Sequence, residues 1–158
     1  ASEARVWWER ALSHEPGAAE AHANLGTAAA VTGNWESAEW HYTQAVSIQP
    51  YYFLGWLQLA QVHQAQNDMI AAISAFTHAL ELQPDHPQAL FGLARCYQAA
   101  GQRREAETTW IRYLAVATGN DGEAVFIEEA RRALETLSRP DESADTGGPG
   151  GQPSECIP

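Results

Sequence analysis

Residues 53–86 read FLGWLQLAQVHQAQNDMIAAISAFTHALELQPDH, and this stretch decides the fold. It holds two segments, 54–66 and 70–82, whose apolar residues recur at helical spacing rather than in alternation. Between them stands Asn67, a residue that tolerates the left-handed conformation in which helices end. Pro84 follows the second segment, where no further helical amide is needed. The stretch therefore reads as helix, tight turn, helix, stop.

Stepping 34 residues in either direction finds the same pattern. Pro16, Pro50 and Pro84 keep this interval, as do Ala4, Ala38, Ala72 and Ala106. The aromatics Trp8, Tyr42, Phe76 and Trp110 keep it too. Leu25, Leu59 and Leu93 repeat, each followed by a small residue: Gly26, Ala60 or Ala94. Gly33 and Gly101 flank Asn67 at the same period, and Ala11, Ala45 and Ala79 lead to Tyr113 in the fourth slot. A fixed period of this length marks a repeat architecture, in which each unit buries its apolar face only by stacking on the next. The first helices are expected at 20–32, 54–66 and 88–100, and the second helices at 36–48, 70–82 and 104–117. Small residues at Gly26, Ala60 and Ala94 would admit a close neighbour, and Tyr42, Phe76 and Trp110 would fill the gaps between helices. His22 takes a slot held by Trp56 and Leu90 in the later units.

With these residues in place the sequence resembles the tetratricopeptide repeat family over roughly residues 3 to 118. The resemblance implies an all-α fold, a right-handed superhelical solenoid of antiparallel helix pairs. Three full units are expected within 19–120. Before them, 1–18 carries an orphan second helix of a partial repeat, with Trp7 and Trp8 on it. After them, 121–138 reads as an amphipathic C-terminal capping helix with an apolar stripe of Val125, Ile127, Ala130, Leu134 and Leu137. Residues 139–158 form a Pro/Gly/Ser-rich tail whose composition is that of a linker. The unmatched ends admit a second reading. Trp7, Trp8, Val125, Ile127 and Leu134 could join copies head to tail into an oligomer or filament.

Composition narrows the function. Charged residues are 18% of the chain and the net charge is -11; all nine basic residues are Arg. Such a chain repels phosphate, so nucleic acid and anionic membrane surfaces are poor partners. No apolar run is long enough to span a bilayer. Cys96 and Cys156 form no CxxC or metal-spaced cluster. They are two free thiols or, in an oxidising compartment, a disulfide that pins the tail. The opening Ala1-Ser2-Glu3, without an initiator Met, fits a mature chain after signal removal or a piece of a longer one. It leans towards a periplasmic or extracellular bacterial protein, with the cytoplasm as the alternative.

No phosphate loop, dinucleotide fingerprint, HExxH or GxSxG is present, and the six His are scattered across the repeats. A non-enzymatic scaffold that needs no cofactor or metal is expected, with a protein or peptide partner; the resemblance also permits an assembly factor for a larger complex. The resemblance places the binding face on the first helices. Carboxylate-clamp members carry Lys, Arg and Asn at the second, fifth, sixth and ninth slots. Here those slots hold Glu20, Ala23, Asn24 and Thr27, then Leu54, Leu57, Gln58 and Gln61, then Gln88, Phe91, Gly92 and Arg95. Only Asn24 and Arg95 suit a carboxylate, so the clamp is effectively missing. What remains is an amide-rich strip of Asn24, Gln58, Gln61, Gln64, Gln88 and Gln98. Side-chain amides both donate and accept, so the strip can pair with the backbone of an extended peptide. Leu54, Leu57 and Phe91 are expected as apolar sockets beside it. The amides also have a plainer reading, as soluble helix formers.

Overall fold

The computed structural model describes residues 17–118 and 123–138, and all regular structure among them is helical. Seven helices follow one another: α1 (Ala18–Val31), α2 (Trp35–Ile48), α3 (Phe53–Ala65), α4 (Met69–Leu82), α5 (Pro87–Ala99), α6 (Arg103–Ala117) and α7 (Ala124–Ser138). They pair as α1–α2, α3–α4 and α5–α6, and each pair stacks on the next through α2–α3 and α4–α5, with α7 closing on α6. This is an all-α helical repeat solenoid. Trp7 and Trp8, the orphan helix proposed around them, Cys156 and the tail all lie outside the described residues.

One device makes all three intra-pair turns. Gly33, Asn67 and Gly101 sit at positive φ of 74°, 63° and 72°. In each turn the left-handed residue donates its N–H three residues back, to Ala30, Gln64 or Gln98. The next residue (Asn34, Asp68 or Gln102) donates five back, to Ala29, His63 or Tyr97. These paired bonds satisfy carbonyls that a helix end leaves open. Asn34 and Asp68 then start the following helix by accepting the N–H of Ser37 and Ala71 at 3.2 and 3.0 Å. Gln102, in the third turn, makes no such cap.

The repeat's small and large residues meet as packing requires. Ala38, Tyr42 and Ala45, then Ala72, Phe76 and Ala79, then Ala106, Trp110 and Tyr113, are all 0–1% exposed. Gly92 is needed where it stands. A Cβ there would fall 2.2 Å from the tip of the Phe76 ring. Gly26 faces Tyr42 less tightly, with a virtual Cβ 3.0 Å from the ring.

The first unit departs from the others at the slot noted in the sequence. His22 is 3% exposed and its Nδ1 lies 3.1 Å from Nδ1 of His41 across the α1–α2 interface. Trp40 packs edge-on against both rings, at 5.6 and 4.8 Å. The same two slots hold Trp56 and Ala75 in the second unit, and Leu90 and Thr109 in the third. Leu25 is 48% exposed, whereas its repeat equivalents Leu59 and Leu93 are 5% and 7%.

At the other end α7 is tied down by side chains. The Tyr113 hydroxyl donates to Glu123 at 2.7 Å, and the Arg103 guanidinium donates to the carbonyl of Leu137. Ile127, Leu134 and Leu137 pack against the core, and Ala130 and Ala133 are buried in it. Two of the side chains expected to support head-to-tail assembly, Ile127 and Leu134, are therefore spent on closing this chain's own core. Val125 stays 77% exposed.

Candidate functional site

The first helices α1, α3 and α5 touch one another directly as well as their own partners. They therefore form the inner side of the stack, and α7 continues their row. Along this side the structure sorts the expected residues into three groups.

Asn24 and Gln88 are exposed, and Gln58, Gln61 and Gln64 are half-buried. All five lie on the first helices and keep some surface. Two further polar residues are already engaged. The Thr27 hydroxyl bonds to the Ala23 carbonyl at 3.0 Å and to the Tyr42 hydroxyl at 2.9 Å. Gln98 Oε1 accepts the indole N–H of Trp110 at 3.3 Å. Both therefore act first in holding α2 and α6 in place.

The apolar residues divide. Leu54 is 46% exposed, as a socket should be. Leu57 is a correction: at 2% exposed it belongs to the core and offers no surface to a partner. Phe91 is half-buried and lies at the centre of an aromatic cluster. Its ring meets Trp110 at 5.2 Å, Tyr113 at 5.4 Å and Phe126 at 5.1 Å, all edge to face. Phe126 was not among the expected residues, yet it is 45% exposed and extends the apolar seam onto α7. It occupies the sixth slot of its unit, after Asn24, Gln58 and Gly92, and that register was the available signal. The apolar seam thus joins Phe91 to Phe126, with Val125 exposed beside Phe126 and Leu54 exposed one repeat earlier on α3.

Charge along the seam is nearly all matched. Arg95 lies 3.7 Å from Glu129 and stacks over Phe91 with its guanidinium carbon 5.9 Å from the ring centre. Arg132 pairs with Glu128 at 3.2 Å. An open cleft of about 530 Å³ sits beside them, lined by Ala124, Val125, Glu128, Glu129 and Arg132. At the opposite end Glu20 lies near Tyr52. Burial raises the Tyr52 hydroxyl pKa above its ordinary value, and the Glu20 carboxylate, then Tyr42, push it further the same way.

Cys96 stands just behind this face, fully buried and free. Burial pushes its thiol pKa up to about 11, against a smaller opposing pull from Arg95. That is the environment of an inert packing thiol rather than a nucleophile. Its expected disulfide partner, Cys156, is outside the described residues. Among the described residues no three His, Cys, Asp or Glu side chains gather as a metal would need. Among the same residues no helix is long and apolar enough to cross a membrane.

The fold and its inner face define a helical-repeat protein. Residues 3–53 and 63–124 each match a family model described as tetratricopeptide repeat. The chain belongs to the tetratricopeptide repeat family. No curated protein sequence matches it. Solved structures are similar at low identity. One is the type III secretion chaperone SycD of Yersinia enterocolitica with a peptide of the translocator YopD. It has TM-score 0.73 and 18% identity, and the match covers 78% of this chain and 94% of that one. PcrH, in complex with the chaperone binding region of PopD, has TM-score 0.69 and 19% identity, covering 75% and 89%. The TPR2B domain of yeast Sti1, in a pHsp70 complex, has TM-score 0.68 and 18% identity, covering 76% and 95%. At these identities the likeness is one of fold.

Proposed function

We propose that this chain is a non-enzymatic adaptor whose inner face holds a segment of a partner protein. The observation that carries the reading is the apolar surface left by Leu54, Phe91, Phe126 and Val125 on the inner row of helices, which also bears Gln58, Gln61 and Gln88. Half-exposed aromatic and aliphatic side chains next to groups that both donate and accept are what a peptide site needs. The apolar sockets take alternate side chains, and the amides take the peptide backbone. SycD and PcrH, similar in fold, are each solved with a segment of a partner protein, which supports the reading.

An array of short extended peptides differing in apolar content tests it. Peptides that bind should lose roughly tenfold in affinity with Phe126→Ala, and a similar amount with Leu54→Ala, about 1.4 kcal/mol each. Leu57→Ala should act on stability rather than on affinity at constant folded fraction. Peptides whose affinity ignores Phe126 and Leu54 would move the site to another face. An array with no binder at all would remove the reading.

A further inference from the structure

The seam's chemistry also says which charge its occupant carries. Resting on the peptide-binding reading above, we infer that the inner face takes a segment whose apolar side chains are flanked by lysine or arginine, with Glu20 at one end and Glu128 and Glu129 at the other as their counter-charges. Two cations stand on this side. Arg95 is held by Glu129 and by the face of Phe91, and Arg132 by Glu128. Each is neutralised by its carboxylate, so neither adds net positive charge to this side. Both pairs are half exposed, so each carboxylate still presents an oxygen edge to solvent.

At the far end Glu20 forms no ion pair among the described residues, and its charge is felt by the Tyr52 hydroxyl. Carboxylates thus bracket an apolar middle formed by Leu54, Phe91 and Phe126. The field of the whole chain has the same sign, with a net charge of -11. An acidic segment would approach against that field and meet only cations already neutralised by Glu128 and Glu129. A basic-ended one would be steered in.

Arg95 then has a role opposite to the one its position in the sequence implied. It covers the Phe91 ring, and an apolar side chain entering that socket must move it aside. Removing the guanidinium should uncover the ring and leave Glu129 free for a basic residue.

The test uses two synthetic peptides with the same apolar core, one with Lys on both flanks and one with Glu. Binding to the full chain is followed by fluorescence anisotropy. The Lys-flanked peptide should bind at least roughly tenfold more tightly at low salt. The gap should close as the Debye length shrinks from about 30 Å at 0.01 M to about 3 Å at 1 M ionic strength. Glu20→Gln with Glu129→Gln should narrow the gap without changing the melting temperature. Arg95→Ala should tighten the Lys-flanked peptide or leave it unchanged. Equal binding of the two peptides overturns the charge inference and leaves the peptide site standing. Tighter binding of the Glu-flanked peptide overturns it as well. If neither peptide binds, the peptide-binding reading falls and the charge inference falls with it.

Discussion

The first and third repeats are built on the same 34-residue frame and solve its packing differently. In the third, the slots of His22 and His41 hold Leu90 and Thr109, both buried, Leu93 is covered, and Gly92 lets the Phe76 ring of the preceding repeat reach the helix backbone. In the first, the same slots make a His22–His41 contact, Leu25 stands half exposed, and Gly26, in the slot that Ala94 fills in the third, lies against the Tyr42 ring of its own repeat. The difference shows that a repeat specifies where a helix goes more strictly than how the contact is made. A slot needs a certain volume. Whether that volume is hydrocarbon or a satisfied polar pair is set locally.

The sharpest way to break the comparison is to fill the two glycines. Gly92→Ala would put a methyl group 2.2 Å from a ring that is 1% exposed and has nowhere to retreat. Overpacking of this kind costs about 1–3 kcal/mol, and the better helix propensity of Ala returns roughly 1 kcal/mol of it. Gly26→Ala meets Tyr42 at 3.0 Å, a contact that a shift of a few tenths of an ångström relieves. Its net effect should lie within about 0.5 kcal/mol of zero, because strain and propensity oppose each other. Urea midpoints of the two variants check this. Equal losses would mean that the two interfaces are equally tight.

How much of this was legible beforehand follows from what a period can encode. Helix positions, turns and core aromatics were legible because each rests on one residue's conformational or steric need, such as Asn67 at positive φ or Ala72 under a neighbour. The inner face was legible less well. Leu57 and Phe91 share the fifth slot, yet one is buried and the other half open, since slot number does not fix how deeply a helix is sunk between its neighbours. Phe126 escaped because the apolar stripe of α7 was read through Val125 and Ile127. Yet Phe126 stands four residues before Ala130 and seven before Ala133, on the edge of the buried side, whereas Val125, placed in the stripe, stays 77% exposed. The His22–His41 contact joins residues 19 apart on two helices, and no local pattern announces it.

That pair gives the second test. His41→Ala withdraws the group 3.1 Å from the Nδ1 of a histidine that is 3% exposed. Loss of one partner of a buried polar pair costs about 1–3 kcal/mol, and the lower end of that range is expected because His41 is half-buried and His22 keeps other contacts. The double change His22→Leu with His41→Thr transplants the pair from the third repeat, so both polar groups leave together. It should fall within about 1 kcal/mol of the parent. A double-mutant cycle measured by urea denaturation separates the two. A double variant as damaged as the sum of its single changes would show that the His–His contact itself adds nothing.

The smallest expected effect concerns the one intra-pair turn without a side-chain cap. Asn34 and Asp68 each accept a backbone N–H three residues ahead, and Gln102 at the same slot does not. Gln is a poor N-cap because its longer side chain does not return to the first-turn amides as a short one does. The backbone at Gln102, φ -83° and ψ 77°, nearly coincides with that at Asn34 and Asp68, so the geometry for a short acceptor already exists. Gln102→Asp should therefore accept the Glu105 amide as Asp68 accepts that of Ala71, and place a carboxylate at the positive end of the α6 dipole. Glu105 already stands in that first turn and repels the new charge, which lowers the gain. The expected outcome is a stabilisation of about 0.5 kcal/mol, below the roughly 1 kcal/mol that a cap contributes when no acid is near. Gln102→Asn, neutral and equally short, should gain as much or slightly more. If neither raises the urea midpoint, the α6 terminus is held by its stacking on α5 and α7 rather than by its first turn.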